Sequence, residues 1–336
     1  MPKTTTLPRE KNAHAARRAF LKLTLAALAA GASDGGARAQ SIVTTAEPEG
    51  PDHLARRRVK ALDTEISYVD VGQGDPVVFL HGNPTWSYQW RNIIPFISPH
   101  RRCLAPDFVG MGWSGKSPTK SYRYLDQERY LDAWFDALGL TRNVILVGHD
   151  WGGPIAFSRA RRYRSQIKAV AYMETIMLPR TWADFAGPSA ARFKRLRSAE
   201  GEKLVMDENF FVEVSMPAGM MRKLSPEEWE GYTAPYRDRE RRLPTLVWPR
   251  ELPIEGEPAD VVDSIEKNAA FLRESRDLPK LYIDGVPGGG SEKVREFARS
   301  LPNQRNVTVK GLHHAQEDSP KEIGEALREF VLGLPG

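Results

Sequence analysis

Val144-Ile145-Leu146-Val147-Gly148-His149-Asp150-Trp151-Gly152-Gly153 passes from four apolar residues into an aspartate flanked by glycines. The apolar run, Asn143 to Val147, reads as a strand buried on both faces, as in a parallel sheet. Gly152 to Ala160 reads as the helix that follows. Between them the glycines permit a strained turn and close approach of helix to sheet, lifting the central residue clear of the sheet top. That strand–turn–helix context is a nucleophile elbow. Its central residue is Asp150 rather than a serine, and a carboxylate there can attack a saturated carbon or an epoxide and form an ester. His149 reads as structural, because neighbouring elbow residues point different ways.

Working outward, Pro76 to Leu80 is a second buried-type run, followed at once by His81-Gly82-Asn83-Pro84, where an elbow fold carries its oxyanion-hole loop. The plain alternative is an Asn-Pro turn. Arg58 to Val71 holds two short strand-like runs about Asp63-Thr64, an antiparallel edge. Trp86, Trp90 and Ile94 recur at helical spacing. Arg102 to Ala105 is another strand, and Asp126 to Leu138 a helix stopped by Gly139. Beyond the elbow, Ile167 to Met173 is a strand, and the sheet resumes at Lys280 to Ile283 and Asn306 to Val309. Ser319-Pro320-Lys321-Glu322 reads as a capping box opening the last helix. This alternation predicts an α/β fold with a doubly wound, mostly parallel sheet. Residues 176–250 break it with Pro, Arg, Phe and Met and no clear strands. They read as an inserted helical cap, with helical pieces at Ala190 to Leu196 and Pro226 to Tyr232. The core domain is then residues 58–175 and 251–336.

The 336 residues carry a formal net charge of +5. The basic residues are scattered, as in Arg56-Arg57-Arg58 and Arg159 to Arg164, and read as solvated surface without the clustered face that nucleic acid requires. One cysteine, Cys103, excludes an intramolecular disulfide and reads as a small core residue. Arg17-Arg18, the apolar run Leu23 to Ala30 and Ala37-Arg38-Ala39 read as a twin-arginine-type signal peptide over residues 1–39. They predict engagement of the twin-arginine export machinery, cleavage before Gln40 and periplasmic location. Residues 40–57 read as a flexible lead-in. No stretch predicts stable membrane insertion.

A third chemical signal is Gly311-Leu312-His313-His314, after the last strand, where such a fold keeps its base. Two adjacent histidines are candidates on position alone. Taken with Phe79-Leu80-His81-Gly82-Asn83-Pro84-Thr85, Asp107-Phe108-Val109-Gly110-Met111-Gly112, the elbow, Ala171-Tyr172-Met173-Glu174 and Gln316-Glu317-Asp318-Ser319-Pro320, the chain resembles the haloalkane dehalogenases of the α/β-hydrolase superfamily. The match runs from about Arg58 to Leu334. The resemblance implies Asp150 as nucleophile, His313 as base, Glu174 as the acid orienting it, and Asn83 with Trp151 as holders of the leaving halide. His314 takes a position usually held by an aromatic residue. Phe185, Phe193, Phe211, Trp248, Pro249 and Leu312 match positions that line or flank the pocket, with packing inside the cap as the alternative. The implied substrate is a small apolar haloalkane, and the implied products are an alcohol, a halide ion and a proton. No metal or organic cofactor is implied, and the Cys and His spacing is not zinc-like.

One internal feature bears on the acid. The common acid of the superfamily stands last in a Gly-x-x-Asp turn, which here reads Gly285-Val286-Pro287-Gly288. Glu174 fills the need, and Asp284 is the alternative. The rival activities are an epoxide hydrolase, for which Tyr232 and Tyr236 in the cap would serve as acids, a fluoroacetate-type dehalogenase and a non-catalytic receptor on the same fold.

Overall fold

The computed structural model of the chain describes residues 43–46 and 53–335, except residue 186. The expected signal peptide lies outside the described residues. The strands are β1 (Val43–Ala46), β2 (Arg56–Ala61), β3 (Thr64–Val71), β4 (Pro76–Leu80), β5 (Arg102–Pro106), β6 (Val144–Asp150), β7 (Ile167–Thr175), β8 (Lys280–Pro287) and β9 (Gln304–Gly311). They form one sheet in the order β1-β2-β3-β5-β4-β6-β7-β8-β9. The pairs from β1 to β3 and β3 to β5 are antiparallel, and all pairs from β5 through β9 are parallel.

Period-two alternation explains why the central runs are apolar throughout. Val78 and Leu80 of β4 with Val144 and Leu146 of β6 enter one core layer, while Val77, Phe79, Ile145 and Val147 enter the layer on the opposite face. Helices Tyr124–Leu138 and Gly152–Arg162 cover the first face, and Pro320–Gly333 the second. Gly139, at φ 64°, ends its helix in the left-handed conformation.

Several expectations need correction. Val43–Ala46, assigned to a flexible lead-in, forms the edge strand beside β2; its β-branched Val-Thr-Thr suits a pleated strand. Arg56 is not solvated: it is 2% exposed and pairs with buried Asp107 at 2.5 Å. Arg159 is likewise buried, bonded to Asp132 at 2.7 Å and lying over Phe135 and Tyr163. Both arginines are tolerated inside because a carboxylate meets each one. Trp86, Trp90 and Ile94 do not share a helix. A 3₁₀ turn at Ser87–Trp90 precedes a new turn at Ile94–Ile97, whose second residue is Pro95, suited to a helix's first turn. Ser319 makes no capping box, because its hydroxyl donates to Lys310 O at 2.7 Å.

Between β7 and β8 the chain is helical, including Ser189–Leu196, Ala199–Met206, Pro226–Thr233 and Leu243–Glu251. A capping box opens Pro226–Thr233, between Ser225 and Glu228. Ala259–Glu274 then returns the chain to the sheet. A buried ionic knot fastens the insert to the core. Arg91 donates to both carboxylate oxygens of Glu317 at 2.6 and 3.1 Å, Tyr232 Oη donates to Glu317 Oε1 at 2.5 Å, and Arg222 reaches both Glu317 and Glu228. No helix among the described residues is long and apolar enough to cross a membrane.

Candidate active site

Asp150 ends β6 at φ 51°, in the left-handed region, which costs a non-glycine residue roughly 1–2 kcal/mol. Its surroundings hold it there. Thr175 Oγ1 donates to Asp150 O at 2.7 Å, and the backbone N–H groups of Asn83 (2.8 Å to Oδ1) and Trp151 bond its carboxylate. Gly82 is required across from it, since a Cβ there would meet Asp150 Cγ at 2.7 Å. Burial raises the Asp150 carboxyl above its ordinary value, while His313, those N–H groups and Arg180 pull against that rise.

Glu174 owes its direction to a bulge. His149 pairs with Met173, but the next residue, Asp150, pairs with Thr175, so Glu174 is the extra residue of β7. A bulge turns a side chain out of the ladder, and Glu174 sits at φ 45°. Its Oε2 accepts from Gly289 N at 2.8 Å and lies 3.6 Å from His313 Nδ1. His313 Nε2 lies 3.6 Å from Asp150 Oδ2. The three groups, with His313 more than a hundred residues from either acid, thus form a line, carboxylate–imidazole–carboxylate. Burial draws the His313 value down, but the Glu174 carboxylate as acceptor facing Nδ1 and the charge of Asp150 outweigh it, so His313 is net raised.

Three other buried histidines, His81, His149 and His314, are held neutral. His81 accepts from Phe108 N at 2.9 Å, and burial lowers it to about 4. His149 and His314 are both driven well below the ordinary value, first by burial and then by the charge of His313.

Asn83 turns its side-chain N–H₂ to Thr245 O at 3.4 Å and leaves Oδ1 buried without a partner. Trp151 is 3% exposed and packs edge-on against Trp248, centroids 5.6 Å apart. Trp248 also meets Phe108 and donates Nε1 to Tyr122 O at 3.1 Å. Phe185 and Phe193 meet at a tilt with ring centroids 5.2 Å apart, Pro249 is buried within Leu243–Glu251, and Leu312 is half-buried beside His313. Phe211 packs with Leu196, Val205, Met206 and Leu246 in the insert's own core. Tyr232 and Tyr236 have committed hydroxyls, to Glu317 and to Thr85 O at 3.3 Å, which removes the acids an epoxide hydrolase would need.

Arg180 escaped the sequence reading. Its charge acts on Asp150, Glu174 and Asp184, its Nε is buried without a partner, and its guanidinium lies 5.4 Å from the Phe185 ring centroid. Nothing in Pro179-Arg180-Thr181 marks it, since only the return of the chain beside Ile254 brings it to the site.

Residues 75–201 match the family model described as alpha/beta hydrolase fold. A haloalkane dehalogenase of Sphingobium indicum is 46% identical over 274 residues, covering 80% of this chain and 92% of that one. A protein of Renilla reniformis named coelenterazine h 2-monooxygenase is 43% identical over 288 residues, 84% of this chain and 92% of the relative. The crystal structure of a haloalkane dehalogenase from Bradyrhizobium elkani superposes with a TM-score of 0.79 at 41% identity, over 82% of this chain and 97% of the other. With Asp150, Glu174 and His313 gathered at the carboxyl ends of the parallel strands, and relatives matched over nearly their whole length, the chain belongs to the haloalkane dehalogenase family, hydrolases that act on carbon–halide bonds.

Proposed function

We propose that the chain converts haloalkanes to alcohols in two covalent steps. Asp150 displaces halide from a saturated carbon by in-line attack, forming an alkyl ester and releasing X⁻. The halide charge is met by the indole N–H of Trp151 and the side-chain N–H of Asn83, fixed donors in a dry site. His313 then takes a proton from water as it attacks the ester carbonyl. The backbone N–H groups of Asn83 and Trp151 hold the oxyanion; as it collapses the alkoxide takes the proton from His313 and leaves as the alcohol, and one proton is released as the Asp150 carboxylate is restored. Glu174 stabilises the imidazolium formed on the way. The observation that carries this reading is the placement of His313 3.6 Å from both carboxylates.

The steps separate under substitution. Attack by an anion needs no proton removed, whereas hydrolysis needs a base. His313→Phe should therefore release about one halide per active site from 1-bromobutane and stall, with a butyl adduct mapped to Asp150 by mass spectrometry. Free turnover by that variant, with the adduct trapped instead in His314→Phe, would move the base to His314. Incubation of the wild type with coelenterazine h in parallel tests the activity carried by the name of the Renilla relative.

The apolar lining about Trp151, Trp248 and Phe185 supports uncharged chains of moderate length as substrates. Arg180 makes charged haloacids the informative comparison, and faster turnover of chloroacetate than of 1-bromobutane overturns that preference. For the precursor, Arg17-Arg18 ahead of Ala39 supports export of the folded enzyme to the periplasm. Arg17→Lys with Arg18→Lys should abolish periplasmic activity in a fractionated host, and undiminished activity refutes the route.

A further inference from the structure

His149, His313 and His314 turn their rings to one another, with centroids 4.8 Å apart for His149–His313, 4.9 Å for His313–His314 and 5.6 Å for His149–His314. One ring nitrogen of each lies within 4.8 Å of the others. The hydrogen bonding settles one tautomer. His149 Nε2 is 2.7 Å from His313 O, and a carbonyl can only accept, so Nε2 carries the proton and Nδ1 presents a bare lone pair. That Nδ1 is buried and has no partner, and neither has His314 Nδ1. Both rings are essentially inaccessible, at 0% and 3% exposed. An unmatched buried nitrogen costs roughly 1–3 kcal/mol, and the reaction uses neither ring. The cluster exists only because a histidine stands at 314 where the resemblance expects an aromatic ring.

We propose that these three imidazoles form an inhibitory site for a divalent transition-metal ion of the imidazole-preferring class, Zn²⁺ or Cu²⁺, which captures His313 and removes it from the reaction. Zn–N bonds of about 2.0–2.1 Å put tetrahedral ligand nitrogens about 3.4 Å apart, so nitrogens up to 4.8 Å apart must draw together by as much as about 1.4 Å. The His313 side chain, 32% exposed, is the ring with room to move. Water, or one of the carboxylates that already face His313, completes the coordination. Binding follows from the cluster alone, whereas inhibition rests on the reading of His313 as base.

The test uses tag-free enzyme, since a polyhistidine tag would bind the ion itself. Zn²⁺ should abolish halide release from 1-bromobutane, EDTA should restore it, and one Zn²⁺ per chain should survive dialysis. Co²⁺ should give the intense visible bands of tetrahedral coordination with nitrogen ligands. His314→Phe should release halide at the wild-type rate in metal-free buffer, yet need at least about tenfold more Zn²⁺ for half-inhibition, and His314→Gln serves as a second variant should the larger ring misfold. Equal Zn²⁺ sensitivity of wild type and both variants, or no retained ion, overturns the site. One retained ion with undiminished turnover overturns the inhibition. If the wild type releases no halide at all, the dehalogenase reading fails, and the Co²⁺ spectrum still decides the site.

Discussion

Glu174 and Asp284 stand on neighbouring strands, β7 and β8, and each is a buried acid near the same sheet edge. Their surroundings give them opposite uses. Asp284 is 3% exposed and saturated: Arg295 lies at 3.3 Å, Arg299 at 2.5 Å, and Tyr282 donates at 3.0 Å. Glu174 receives one backbone N–H and has no arginine in hydrogen-bonding contact among the described residues, leaving its charge directed at His313. The difference is that between an acid consumed by structure and one left available to an imidazole. It also accounts for the glycine that ends the Gly285–Gly288 turn. A Cβ on Gly288 would meet Glu174 Oε1 at 2.6 Å, so the space an aspartate would need at 288 already holds the Glu174 carboxylate.

Substitutions can break this contrast. Glu174→Gln should show the largest effect, lowering turnover by on the order of 10³–10⁴-fold, as expected when a buried acid no longer stabilises the imidazolium; stopped-flow halide release should find the first step less affected than the second. Near-normal turnover, with Asp284→Asn inactive, would reverse the assignment. Asp284→Asn should instead leave turnover within about twofold and cost about 3 kcal/mol of stability, the low end for a broken buried pair because Arg299 is half exposed. Denaturant unfolding measures it.

The pH profile sharpens the contrast. His313 must be neutral to accept a proton, and its value is raised, first against burial, by Glu174 and then Asp150. Turnover should therefore fall as pH drops through a value above the ordinary imidazole range and level off on the alkaline side. Removing a group that raises the value lowers it, so Glu174→Gln should shift the acid limb to lower pH. Asp284→Asn should leave it in place, and a shift there would show that Asp284 also faces the base. Gly288→Ala should have the smallest effect on stability, about 1–2 kcal/mol for a side chain at φ 65°, with turnover reduced because Glu174 is displaced.

Much of this was legible in the sequence. The buried strands β4 and β6 declare themselves by unbroken apolar runs, and Gly139 and the glycines about Asp150 mark a helix end and a turn that need little tertiary information. The positions of Asp150, Glu174, Asn83, Trp151 and His313 came from motifs, and they gather at one sheet edge. What the sequence hid depends on contacts between distant segments. The buried Arg56 and Arg159 look like surface until Asp107 and Asp132 are seen beside them. Arg180 joins the site through a bridge to Ile254, and the bulge that aims Glu174 exists only as a register between β6 and β7. His149 and His314 are 165 positions apart, so no spacing rule could have joined them. The helices Ala259–Glu274 and Glu292–Arg299 were missed because polar residues, Ser264, Asn268 and Arg295, share their buried faces with the apolar ones.

The ionic knot at Glu317 has a consequence for how the molecule meets salt. Glu317 and Asp318 stand four and five positions after His313 in the chain. Asp318 accepts from Met221 N and Arg222 N in the insert and from Leu312 N, and His314 N donates to Gly219 O at 2.9 Å. The loop that carries His313 is therefore stitched to the helical insert. Arg91 and Glu317 are 3% and 1% exposed, out of easy reach of counterions, whereas a peripheral pair such as Arg305–Glu329 is 48% and 57% exposed. Rising ionic strength should dissolve the periphery first and leave the alignment of His313 untouched, so brine should cost this enzyme surface cohesion long before it costs catalysis.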